Sequence, residues 1–95
     1  MIEKTYTKLP YVKLIVDEAK RAKSMFPPFN SAHEGYGVIK EEFDEFWDEI
    51  KRKPKDWDRI EDEAIQLGAM ALRFLTDLCW KKDLSKNRKL KNNKR

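Results

Sequence analysis

Prolines cut this chain into three amphipathic segments, and that division constrains the fold more than any other feature. Between Pro10 and the Pro27-Pro28 pair, Val12, Ile15, Val16, Ala19 and Ala22 recur at helical spacing, which turns one apolar stripe toward one side. Pro10 suits a first-turn position, so the spacing predicts a helix from about Pro10 to Lys23. Pro27 and Pro28 then force an extended path. Ser31-x-x-Glu34 reads as a capping box that opens a second helix continuing to about Arg52. After a charged turn centred near Pro54, a third helix starts around Asp56 or Asp58 and reaches Trp80 or beyond. No stretch alternates as a strand does, and three glycines and four prolines are too few for the tight turns of a β-sandwich. The expected fold is all-α: a helical hairpin plus an N-terminal helix, with residues 1–80 as one domain and 81–95 as a flexible tail.

A chain of 95 residues has room for one core. Hydrophobic and charged residues each make up 40%, which fits a soluble protein, and no apolar run approaches a membrane span. Met1-Ile2-Glu3-Lys4 lacks the basic-then-apolar build of a signal peptide, so a cytoplasmic location is expected. Cys79 stands alone, which excludes an intramolecular disulfide and a multi-cysteine zinc site. The net charge of +4 conceals a split: residues 81–95 carry eight Lys or Arg against one acid, whereas residues 1–80 hold 13 basic and 16 acidic groups. The basic tail could engage nucleic-acid phosphates. It holds no aromatic residue to stack on bases, so it reads as a solvated tail, and nucleic acid is not the expected partner.

The acidic residues occupy unusual positions. On the second helix Ile39, Phe43, Phe46 and Ile50 form an apolar stripe. At roughly 100° per residue, Glu42 lies about 60° from the centre of that stripe. Glu45 and Glu49 are on the same side, whereas Lys40, Asp44 and Asp48 lie roughly opposite. The third helix repeats the layout: Ile60, Leu67, Ala71, Phe74 and Leu78 form its stripe, Glu63 flanks it, and Gln66 lies further round. With Pro54 at the midpoint of an antiparallel hairpin, residues equidistant from it face each other, so Glu45 meets Glu63 and Glu42 meets Gln66. Carboxylates gathered where packing begins to exclude water repel one another and resist desolvation. Glutamate is also simply a good helix former, but two matching flanks with a consistent midpoint favour a compensating cation. Hard oxygens without Cys or His point to Mg²⁺, with Mn²⁺ as a substitute.

Glu41-Glu42-Phe43-Asp44-Glu45 and, seventeen residues beyond Glu45, Asp62-Glu63-Ala64-Ile65-Gln66 resemble the E-x-x-E … E-x-x-D signature of the MazG-like all-α nucleotide pyrophosphohydrolases. His33-Glu34-Gly35-Tyr36-Gly37-Val38-Ile39 resembles the helix entry of that family, and Gln66-Leu67-Gly68-Ala69-Met70-Ala71-Leu72-Arg73 the third helix of its small, phage-type members. The resemblance covers about Met25 to Leu78. It implies hydrolysis of a nucleoside triphosphate between the α and β phosphates, giving a monophosphate and pyrophosphate. It also implies that Glu42, Glu45 and Glu63 are catalytic and ligate one or two Mg²⁺ ions, while one carboxylate activates or orients the attacking water.

The chain departs from the pattern at Gln66, where the family has Asp. Three readings stay open there: Gln66 is a weaker ligand in a site with one fewer charge, it bonds substrate or a metal-bound water, or catalysis is lost and binding remains. By the same resemblance, the segment Phe26 to Ser31 contributes to a base pocket, with Phe29 stacking and Asn30 reading a base edge. The plain alternative is a connector whose Phe26 and Phe29 plug the end of the core. His33 is a candidate for phosphate or sugar and Arg73 for phosphate; the alternatives are a local hydrogen bond for His33 and a salt bridge for Arg73. Asp77 reads as structural and Cys79 as a packed thiol. Trp47 and Trp57, flanking the turn, read as core or subunit contacts. Met70, Leu72, Phe74 and Leu75 spread over a broad arc, which calls for another packing partner. The expectation is a homodimer or homotetramer with four-helix-bundle packing, as the resemblance also implies. A nucleic-acid-binding helical module and a catalytically silent scaffold are the competing functions.

Overall fold

The computed structural model describes residues 9–80; the basic tail lies outside the described residues. Three α-helices follow one another, α1 (Tyr11–Met25), α2 (Ala32–Ile50) and α3 (Trp57–Phe74), and α3 runs on into a single π-helical turn, Leu75–Cys79. Among the described residues the fold is all-helical, as the periodicity predicts. The helix starts follow from local chemistry. Pro10 precedes α1, and its carbonyl accepts from the Leu14 N–H at 3.0 Å. Ser31 caps α2, its hydroxyl accepting from the Glu34 N–H at 3.1 Å, and the Glu34 carboxylate reaches back to the Asn30 N–H at 2.5 Å. That is a capping box whose return bond lands one residue early. Asp56 caps α3 by accepting from the N–H groups of Asp58 and Arg59 at 3.2 and 3.3 Å.

The central helix is α3, which packs along both α1 and α2. The core is small: Ala22, Phe29, Ala69 and Met70 are buried, and Ile15, Ala19, Val38, Ile39, Phe74 and Leu78 pack around them. Close approach of α2 to the end of α3 depends on Gly35, where an added Cβ would stand 2.6 Å from the Phe74 ring. The Pro27-Pro28 connector is fastened to α3 by Arg73. This side chain is only 5% exposed; it donates to the Pro27 carbonyl at 2.9 Å and lies 4.4 Å from the Phe29 ring centre. Asp77, on the π-helical turn, accepts from the Phe29 N–H at 3.0 Å and stands 3.7 Å from Arg73.

Packing corrects three expectations. Phe43 is not core: it is 54% exposed, because the face of α2 turned inward runs through Gly35, Val38, Ile39, Glu42, Phe46 and Glu49. The inward arc is therefore rotated toward the acids, and Glu42 sits within it rather than at its flank. Ala71 of α3 is likewise exposed. Met70 needs no second chain to cover it, since it is buried in the same cluster as Ala22 of α1 and Phe29 of the connector. Tyr36, Phe43 and Trp47 instead form an exposed aromatic stripe along α2. No helix among the described residues is long and apolar enough to cross a membrane.

Candidate metal centre

Antiparallel packing of α2 against α3 gathers the three predicted glutamates. Glu42 and Glu45 from α2 and Glu63 from α3 each offer one carboxylate oxygen within 4.8 Å of the others. Glu45 is exposed, and Glu42 and Glu63 are half-buried. One oxygen of each half-buried pair member, Glu42 Oε1 and Glu63 Oε1, is sealed from solvent with no hydrogen-bond partner among the described residues. Orphaned buried carboxylate oxygens are costly. Burial, followed by the charges of Glu45, Glu63, Glu41 and Glu18, pushes the Glu42 carboxyl up to about 7. Burial, followed by Glu45, Glu49 and Asp62, raises Glu63 as well.

This donor set fits a hard divalent cation. Two ligands of one Mg²⁺ ion, each at about 2.1 Å, stand no more than about 4.2 Å apart. A separation within 4.8 Å therefore closes with a small rotation of flexible glutamates. The cation would also take up the two orphaned oxygens and offset the mutual repulsion.

The cluster lines a cleft of about 490 Å³ whose far wall is α1. Asp17 and Glu18 of α1 and Asp62 of α3 add to its acidity, and Arg21 is the one cation among its described lining residues. Gln66 lies in the same cleft, on the side where the hairpin places it. Glu18 lines the cleft as well, and the hydrogen-bonded Arg21 guanidinium holds its carboxyl below the usual range against its burial. The contribution of α1 is what sequence reasoning missed. The signal was present: Glu18 falls three residues after Ile15 and four before Ala22, two inward-facing positions of the same helix.

The remaining candidates lie elsewhere. None of Phe29, Asn30, His33 and Arg73 lines the acidic cleft. Phe29 and Arg73 are buried in the connector clamp, so this structure engages both in packing and leaves neither open to a ligand. Asn30 is exposed at the entry to α2, its backbone N–H bonded to Glu34. His33 borders a separate, shallow apolar hollow with Ala32, Tyr36, Ile39 and Phe74. Trp47 and Trp57 are exposed beside the turn and do not line the acidic cleft. Comparison of the chain with family models, with curated proteins and with solved structures finds no match.

Proposed function

We propose that this protein is a Mg²⁺-dependent nucleoside triphosphate pyrophosphohydrolase that cleaves (deoxy)nucleoside triphosphates between the α and β phosphates. The observation that carries this reading is the convergence of Glu42, Glu45 and Glu63, with two of their oxygens buried and unpartnered. The E-x-x-E … E-x-x-Q pattern, which resembles that of the MazG-like enzymes, supplies the reaction. A bound Mg²⁺ or Mn²⁺ would supply neutralisation of the phosphate oxygens and a more acidic water. Glu42, Glu45 and Glu63 hold that charge in place, and a carboxylate of the cluster takes the proton of the attacking water. Attack breaks one phosphoanhydride P–O bond and releases nucleoside monophosphate and pyrophosphate. The reading includes a cytoplasmic homodimer or homotetramer in which the Tyr36, Phe43 and Trp47 stripe is covered by a second copy.

A panel of ribo- and deoxyribonucleoside triphosphates incubated with protein and Mg²⁺, with products separated by chromatography, tests the reaction. Monophosphate and pyrophosphate should form without a diphosphate intermediate, and EDTA should stop them. Glu63→Gln should lose turnover while keeping its fold; full activity in that variant would refute the assignment.

A further inference from the structure

We propose that the turn between α2 and α3 is a docking surface for single-stranded nucleic acid, with Trp57 stacking on a base while Lys53 and Lys55 hold the flanking phosphates. The proposal is independent of the acidic cleft and of the reaction assigned to it.

Residues 51–55 read Lys-Arg-Lys-Pro-Lys, four cations with no acid among them, and all five are exposed. Ion pairing divides the charges of this turn. Lys51 stands 3.4 Å from Asp48 and Arg52 3.2 Å from Glu49, while Arg59 reaches Glu49 at 3.7 Å and Asp56 at 3.5 Å. Lys53 and Lys55 enter no ion pair among the described residues, and Asp58 is the one acid of the turn likewise left single. Two free cations against one free acid give the tip a positive excess. The Lys55 Nζ donates to the Ile50 carbonyl at 2.7 Å, which places its ammonium at the end of α2 without neutralising it.

Trp57 stands within this ring of charge at 68% exposure, the highest among the large hydrophobic side chains of the described residues. It opens α3 directly after the Asp56 cap, so its backbone is held while its ring stays in solvent. A shallow hollow of about 410 Å³ runs from Arg52 to Asp58 with Trp57 in its wall. An indole face beside free ammonium groups suits a single strand, which alternates unstacked bases with phosphates. A duplex stacks its bases on one another and hides those faces. A lipid surface fits less well, because insertion needs a continuous apolar face; Trp57 is the single aromatic residue of a hollow otherwise lined by charged side chains and Pro54. Trp47 belongs to the aromatic stripe of α2, and its ring already carries the Lys51 ammonium at 5.8 Å. The basic tail, residues 81–95, holds eight Lys or Arg but no aromatic residue; the turn supplies the stacking surface that the tail lacks.

Full-length protein is titrated into a fluorescein-labelled oligothymidylate of about twelve nucleotides, with anisotropy reporting binding and circular dichroism the fold. Trp57→Ala should weaken binding about tenfold, the loss of one stacked base, and Trp57→Phe should retain most of the affinity. Affinity for a duplex should not change in Trp57→Ala. Lys53→Gln with Lys55→Gln should lower the slope of log affinity against log salt by about 0.7 for each charge removed. A Trp57→Ala isotherm that superimposes on wild type would assign the binding to the basic tail and overturn the proposal. An equal loss on duplex, or a wild type that binds no oligonucleotide, overturns it as well. Binding to phosphatidylserine vesicles that is lost in Trp57→Ala, in a protein that ignores the oligonucleotide, would replace the strand with a membrane surface.

Discussion

Glu42 combines the inward face of α2 with the charges of Glu45 and Glu63, and this gives it a measurable pH signature. Its carboxyl is raised in the folded chain to about 7 from an ordinary 4.5, so the folded state binds the proton more tightly than the unfolded one. The resulting stability is fully present below the unfolded value and is lost as pH rises through the folded one. Without metal, the protein should therefore lose stability between about pH 4.5 and 7, by on the order of 1 kcal/mol after solvent screening. Thermal melts in EDTA at pH 5 and pH 8 check this: Glu42→Gln should melt higher than wild type at pH 8 and show a smaller difference at pH 5. Mn²⁺ affinity should follow the opposite trend and rise through about pH 7, as protons cease to compete for Glu42.

At the scale of elements, the site depends on how closely α2 and α3 approach. That approach is permitted at one end by Gly35, with the Phe74 ring where a side chain would be, and is secured by the Arg73 and Asp77 clamp on the connector. Gly35→Ala places a Cβ 2.6 Å from that ring, so the helices must separate or the ring must shift. The expected cost is about 1–3 kcal/mol, read from urea unfolding. The expected functional effect is weaker Mn²⁺ binding, although Gly35 lies two turns from Glu42 and lines no part of the cleft. The boundaries of these elements were legible in the sequence because caps are local: Ser31, Asp56 and the prolines act on backbone groups within a few residues. Which face of α2 turns inward was not, because the stripe through Phe43 and the arc through Glu42 are both apolar enough to pack.

At the scale of the whole molecule, the described residues bury few side chains and leave Tyr36, Phe43 and Trp47 exposed at 64%, 54% and 54% along α2. Aromatics at that density on one helix face favour association, since each removes large apolar area from water when covered. The proposed homo-oligomer gives a direct expectation: Phe43→Glu with Trp47→Glu should shift the protein to monomer in light scattering coupled to size-exclusion chromatography. Mn²⁺ binding to the isolated monomer should persist, because all three glutamates come from one chain.

The sequence by itself determined the helical class, the helix ends and the meeting of Glu42, Glu45 and Glu63. Each follows from periodicity, short-range capping or the symmetry of a hairpin about Pro54. Only the tertiary structure decided the rest. It decided that Arg73 and Phe29 close the connector instead of opening to a ligand. It also decided that Met70 is covered by its own chain and that α1 walls the acidic cleft with Asp17 and Glu18. The physical reason is that a hairpin register is fixed by the chain connecting its helices. The rotation of a third helix against them is fixed by side-chain volumes on all three, a long-range sum that no local spacing encodes.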